Sequence, residues 1–211
     1  LVCVENTHNR GGGSIWPIDL IAEVSGVARK HGFRLHLDGA RIWNASAATG
    51  IPEREYASYF DSVSVCFSKG LGAPVGSALA GTKEFTERAR RFRKMLGGGM
   101  RQAGIIAAGA LYALENHRAR LTEDHANAKR FAAGIHGIPG IEVDLATVET
   151  NIVSFRVTAM PAAELVQKLK DRGVLVLANA VDNIRAVTHL DVTGEQVEEA
   201  VGIVKDVMIS L

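Results

Sequence analysis

The sequence predicts an α/β protein: a partial large domain with a mostly parallel sheet, followed by a small C-terminal α/β domain. Three observations carry this. Short apolar runs alternate with helical patterns through the first part of the chain. Three of those runs end in an ionisable residue, as LVCV at Glu5, FRLHL at Asp38 and SVSVCFS at Lys69. The rhythm then changes after a long alanine-rich stretch. The chain has 211 residues, 47% of them hydrophobic and 22% charged, enough for a core without disulfide or metal staples.

The elements follow in order. LVCV opens in a strand-like run, and Glu5 to Ser14 is polar and glycine-rich. Pro17 starts a helical pattern to about Lys30, with Leu20, Ile21, Val24, Val27 and Ala28 on one face and Gly32 just past its end. Phe33, Leu35 and Leu37 alternate with Arg34 and His36, a strand closing at Asp38-Gly39. Ser62 to Ser68 is the next strand, and Ser77 to Ala80 supplies a further one after a glycine-rich turn. Thr82 to Met95 is helical, with basic residues toward the negative end of the helix dipole. Gly97-Gly98-Gly99 breaks it, and an alanine-rich helix, in one or two segments, runs from Met100 to about Ile135. Ile152 to Thr158 and Asn183 to Val187 are strands; Pro161 to Arg172 and Gly194 to Leu211 are helices. The expected division is 1–130 for the large domain and 131–211 for the small one.

Lys and Arg total 24 against 23 for Asp and Glu. A net charge of +1 gives no electrostatic footprint for nucleic acid. The longest uncharged helical stretch, Ala103 to Leu114, falls well short of the ~20 residues that span a bilayer. Cys3 and Cys66, each in an apolar run, are expected to be buried free thiols of a reducing compartment, the cytoplasm. The sequence starts in mid-strand without Met, which leads us to expect an N-terminal segment of the fold outside it.

In open α/β sheets ligands bind outside the carboxyl ends of the strands, so Glu5, Asp38 and Lys69 are expected along one rim. Lys69 precedes Gly70, Gly72 and Gly76, which permit close backbone approach. At the buried base of a pocket its amine would lose solvation, drop in pKa and attack carbonyls as Schiff-base chemistry requires. A Walker loop fails on spacing, because Gly76 is followed by Ser77-Ala78; the dinucleotide pattern fails because position 75 is Val. His36 shares the strand face of Asp38, but two groups do not make a metal site. Phe85 and Phe92 are expected to pack their helix.

HLDGARIWNA and SVSVCFSKGLGAPVGSALAGT resemble the threonine aldolase (β-eliminating lyase) branch of the fold-type I pyridoxal-phosphate enzymes. ENTHN, LGGGMRQAG and IRAVTHLDVT resemble the same family in the same order. The resemblance implies pyridoxal 5'-phosphate held covalently by Lys69, with Asp38 facing the pyridine nitrogen and Ser68 at the phosphate. It implies Arg41 and Arg185 as carboxylate-binding arginines, and Arg101 as a residue reaching a neighbouring subunit's cofactor. The implied reaction cleaves the Cα–Cβ bond of a β-hydroxy-α-amino acid such as L-threonine to glycine and an aldehyde. The implied assembly is a homodimer or homotetramer, completed by the missing N-terminal segment as companion peptide. That segment would supply the phosphate loop and the ring-stacking histidine.

Two other readings stay open on the residues alone. Lys69 and Asp38 serve a transaminase, a β-eliminating lyase or a hydroxymethyl transferase equally well, and a non-catalytic scaffold would retain the same motifs. Arg185 could instead pair with Asp191.

Overall fold

Four strands make the first sheet, in the order β1 (Val2–Glu5), β2 (Leu35–Gly39), β3 (Ser62–Cys66) and β4 (Ser77–Gly81). β1, β2 and β3 run parallel and β4 antiparallel, the mostly parallel sheet that the alternation predicts. Side chains alternate across it. Val4, Leu35, Leu37 and Val63 are buried, whereas Cys3, Glu5, His36, Asp38 and Ser64 form the opposite, polar row and are half-buried or exposed. This row is where two sequence expectations fail: Cys3 is exposed and Cys66 half-buried, both as free thiols. Strand periodicity places them on the polar face, which composition alone did not reveal.

The computed structural model describes residues 1–210. Contacts divide the chain into two units, Leu1–Thr7 with Ile15–Ala119, and His8–Ser14 with the chain from Arg120 onward. In the first, α1 (Ile18–Lys30) starts after Pro17 and buries Ile21, Ser25 and Ala28, a four- and three-residue spacing that keeps one face inward. The expected face was too wide: Leu20 and Val27 are exposed. Two short helices, α2 (Ile42–Thr49) and α3 (Glu53–Ala57), were not read from the sequence. They complete the core through Ile42, Ala45 and the fully buried Tyr56.

Asp61 ties the starts of β2 and β3 together by accepting from the Leu35 N–H at 2.8 Å and from Arg34 at 3.2 Å. The backbone bond first, and the guanidinium groups after it, hold its carboxyl below the ordinary carboxylate range. Helix α4 (Lys83–Met95) is capped by Thr82 and buries none of its residues; α5 (Gly104–Asn116) buries only Ala113. Phe85 and Phe92 accordingly remain partly exposed on α4, against the expectation that they pack.

The long alanine-rich helix is two. After α5, α6 (Leu121–Ile135) begins the second unit's ordered structure. It stands with α7 (Ala162–Lys170) and α8 (Gly194–Ile209) beside the strands β5 (Ile141–Glu142), β6 (Ile152–Val157), β7 (Leu177–Ala178) and β8 (Asn183–Val187). These pair antiparallel in the order β5-β6-β8-β7. The unit starts at Arg120 and not near residue 131. The reason is that α6 packs Ala128, Phe131, Ala132 and Ile135 into one core with Phe155, Leu165 and Val201. It also takes in the glycine-rich segment 8–14. A Cβ on Gly13, at φ +79, would lie 2.5 Å from Thr150 Oγ1, and that hydroxyl donates to the Gly13 carbonyl at 2.7 Å. None of the described helices is long and apolar enough to cross a membrane.

Candidate active site

Asp38 lies at the carboxyl end of β2, in register with Glu5 on β1 and Ser64 on β3. The next residue has to be glycine, because a Cβ on Gly39 would sit 2.9 Å from the Ser64 carbonyl oxygen. Asp38 is half-buried, and its Oδ1 accepts from the Ala40 N–H at 3.1 Å. That bond fixes the carboxylate while its second oxygen makes no hydrogen bond among the described residues. Arg41 follows on the turn into α2 and is half-buried.

The chain beyond β3 is shaped by three backbone bonds. Phe67 N–H reaches the Gly76 carbonyl at 3.0 Å, Ala73 N–H reaches Phe67 at 3.0 Å, and Gly72 N–H reaches Lys69 at 2.8 Å. The last closes a tight turn from Lys69 to Gly72, anchored by the fully buried Leu71. Two side chains pin this turn. Trp43 Nε1 donates to the Cys66 carbonyl at 2.9 Å and its ring stacks on Phe67 with centroids 6.3 Å apart. His117 Nδ1 lies 2.6 Å from the Leu71 carbonyl, so that nitrogen carries the proton and donates. The Arg118 guanidinium covers Trp43 at 5.6 Å, a cation–π contact.

Asp38 and Arg41, and Ser68 and Lys69, therefore follow the carboxyl ends of two adjacent parallel strands. One expectation is corrected: Lys69 and Ser68 are exposed, and nothing among the described residues encloses the amine. The glycines permit close approach but do not supply the group that approaches. Arg101 is exposed on the segment between α4 and α5 and forms no ion pair or hydrogen bond among the described residues. His36 is accounted for structurally, with Nδ1 2.8 Å from Ser62 Oγ.

In the second unit, Arg185 sits on β8 between β6 and β7. Its Nη1 donates to Asn9 Oδ1 at 2.6 Å. The alternative partner, Asp191, faces His189 at 3.5 Å. Arg185 Nε is buried with no hydrogen-bond partner among the described residues. Asn9, Arg10, Asn183 and Arg185 help line a cavity of about 520 Å³.

Sequence reasoning missed Trp43, His117 and Asn9. The first and last stand inside quoted motifs, HLDGARIWNA and ENTHN, so the signal was present without a partner to give it meaning. Nothing local marks His117.

The donor set suits an aldehyde-bearing pyridine coenzyme. An amine can bond covalently to its aldehyde, and a fixed carboxylate with one oxygen unengaged can face its ring nitrogen. The comparisons agree. The chain is 40% identical over 214 residues to low-specificity L-threonine aldolase 1 of Arabidopsis thaliana, covering 100% of this chain and 60% of that protein. It is 45% identical over 199 residues to the low specificity L-threonine aldolase of Escherichia coli K12, covering 94% and 57%. The chain thus spans 57–60% of the length of these relatives. In three dimensions it matches a Leishmania major threonine aldolase with a TM-score of 0.79 at 18% identity, over 98% of this chain and 60% of that one. At that identity the match establishes the fold, that of the fold-type I pyridoxal-phosphate enzymes. With the beta-eliminating lyase model matching residues 1–158, three quarters of a sequence whose strand ends carry the acid and the amine, the chain belongs to the beta-eliminating lyase family.

Proposed function

We propose that this chain is part of a pyridoxal-phosphate-dependent aldehyde lyase that cleaves L-threonine and related β-hydroxy-α-amino acids to glycine and an aldehyde. The observation that carries this is the pairing of Asp38 and Lys69 at neighbouring strand ends, in a chain whose 40–45% identical relatives are low-specificity threonine aldolases.

Lys69 holds the coenzyme through its amine, and Ser68, next to it, contacts the phosphate. Asp38 keeps a proton on the pyridine nitrogen through a charge-assisted bond. When bound, the coenzyme supplies an electron sink for the pair released at Cα. Arg41 is a carboxylate-binding arginine and so is Arg185, each with a planar, bidentate fork that a lysine would not reproduce. Arg101 reaches the coenzyme site of a neighbouring copy. A base takes the β-hydroxyl proton, the aldehyde C=O forms as the Cα–Cβ bond breaks with its electrons passing to Cα, and the protonated base returns one proton to Cα to leave glycine. Half-burial of Arg41 and the buried, unpartnered Nε of Arg185 support their roles.

The enzyme works as a homodimer or homotetramer, with a companion segment supplying the remainder of its relatives' length. The uncovered faces of α4 and α5 support the first part of that reading. Two free thiols support a reducing compartment, the cytoplasm.

The test is the complete protein incubated with L-threonine. Acetaldehyde and glycine are expected, and Lys69→Ala should abolish both these products and the coenzyme's visible absorbance. Keto acid and ammonia instead would assign another reaction of this fold, and a coloured, fully active Lys69→Ala enzyme would overturn the site.

A further inference from the structure

We infer that Asn9 is a positioning residue for Arg185, holding one end of its guanidinium so that the Nε edge is offered to the substrate carboxylate. The inference rests on the reading of Arg185 as a carboxylate binder given above.

An arginine side chain is long and rotamer-rich, so a site that must recognise a planar carboxylate gains from fixing it before the ligand arrives. On the sheet, its register partner Ser154 is turned to another group, the Ser154 hydroxyl donating to Asn183 Oδ1 at 2.9 Å. The acceptor comes from the far end of the sequence: Asn9 Oδ1 lies 2.6 Å from Arg185 Nη1. Asn9 is held there by the glycine-rich loop. His8 N–H bonds to the Ser14 carbonyl and Gly13 N–H to the His8 carbonyl, both at 2.9 Å. The Gly13 carbonyl is in turn tied to Thr150.

The chemistry of the acceptor fits the task. An amide oxygen fixes the guanidinium without neutralising it, whereas a carboxylate at position 9 would compete with the substrate for the same charge. With Nη1 engaged, the side-on edge containing Nε is the one left for a bidentate ligand. That Nε is buried and unpartnered, an arrangement that costs stability until an acceptor arrives. Both residues line the same cavity of about 520 Å³.

The experiment uses the full-length holoenzyme and its Asn9→Ala, Asn9→Asp, Arg185→Ala and Asn9→Ala/Arg185→Ala variants. Steady-state kinetics with L-threonine are combined with the dissociation constant of glycine, read from coenzyme absorbance. Asn9→Ala should raise both KM and the glycine constant about ten-fold, the scale of one hydrogen bond to a charged group, with kcat changed far less. Asn9→Asp should weaken glycine binding as well, although it retains an acceptor. In the Arg185→Ala background, Asn9→Ala should add nothing, because its effect passes through the guanidinium. Unchanged glycine binding in Asn9→Ala, whatever its melting temperature, would overturn the inference. So would an undiminished effect of Asn9→Ala without Arg185. If Arg185→Ala itself leaves glycine binding intact, it is the carboxylate assignment underneath that falls.

Discussion

Helices α4 and α6 are of similar length, 13 and 15 residues, and both carry an apolar stripe. One is a core element and the other is not. α6 buries eight residues, including Leu121, Ala128, Phe131 and Ile135, and a Cβ on its Gly134 would lie 2.6 Å from Val201 of α8. α4 buries none, leaving Phe92 at 52% and Met95 at 67% exposure. Periodicity specifies that a helix forms and which face is apolar; it is silent on what covers that face. Clustered exposed aromatics and methionine mark an interaction surface more often than a monomer's solvent face, which agrees with the proposed oligomer.

The contrast breaks most visibly if the core helix tolerates truncation. Phe131→Ala removes a ring that packs against Phe155 at 6.2 Å and should destabilise the second unit by about 3–5 kcal/mol. Chemical denaturation followed by circular dichroism measures it; a loss below ~1 kcal/mol would mean that the packing around α6 is far looser than its burial implies.

The next effect sharpens the comparison by pH. His125 on α6 is buried, and desolvation, with the Lys129 charge, pushes its imidazole from 6.5 down to about 4. A depressed basic group binds fewer protons folded than unfolded. Its contribution is therefore complete above pH 6.5 and is lost as the pH falls toward 4. Melting temperature should decline across that window, and His125→Gln should flatten the decline. An identical slope in the variant would contradict the assignment.

The smallest effect belongs to α4. Phe92→Ala should change unfolding stability by no more than about 0.5 kcal/mol while reducing the oligomeric mass of the full-length protein in light scattering. A large stability loss without change of mass would show that α4 is covered within its own subunit.

Much of this was legible in the sequence because the relevant interactions are local. The β2 strand announces itself by alternation and ends in a glycine that Ser64 leaves no room to replace, so Asp38 could be placed on a rim from its spacing alone. Lys69 could be placed similarly, but its solvation could not, since burial depends on what approaches the turn. Nor could the sequence show that Arg120, not residue 131, opens the second unit, or that segment 8–14 joins it. The bond between Asn9 and Arg185 spans almost the entire chain, and the Trp43 and His117 contacts that shape the Lys69 turn reach across 23 and 46 residues. Helices α2 and α3 escaped because eight- and five-residue helices offer too few turns for a period to emerge.

The most direct test of the central claim is an electron-density map of the complete protein crystallised with pyridoxal 5'-phosphate. Continuous density from Lys69 Nζ to the coenzyme is expected, with an Asp38 carboxylate oxygen about 2.7–2.9 Å from the ring nitrogen. A lysine directed into bulk water, or an Asp38 turned away from the ring, would contradict it.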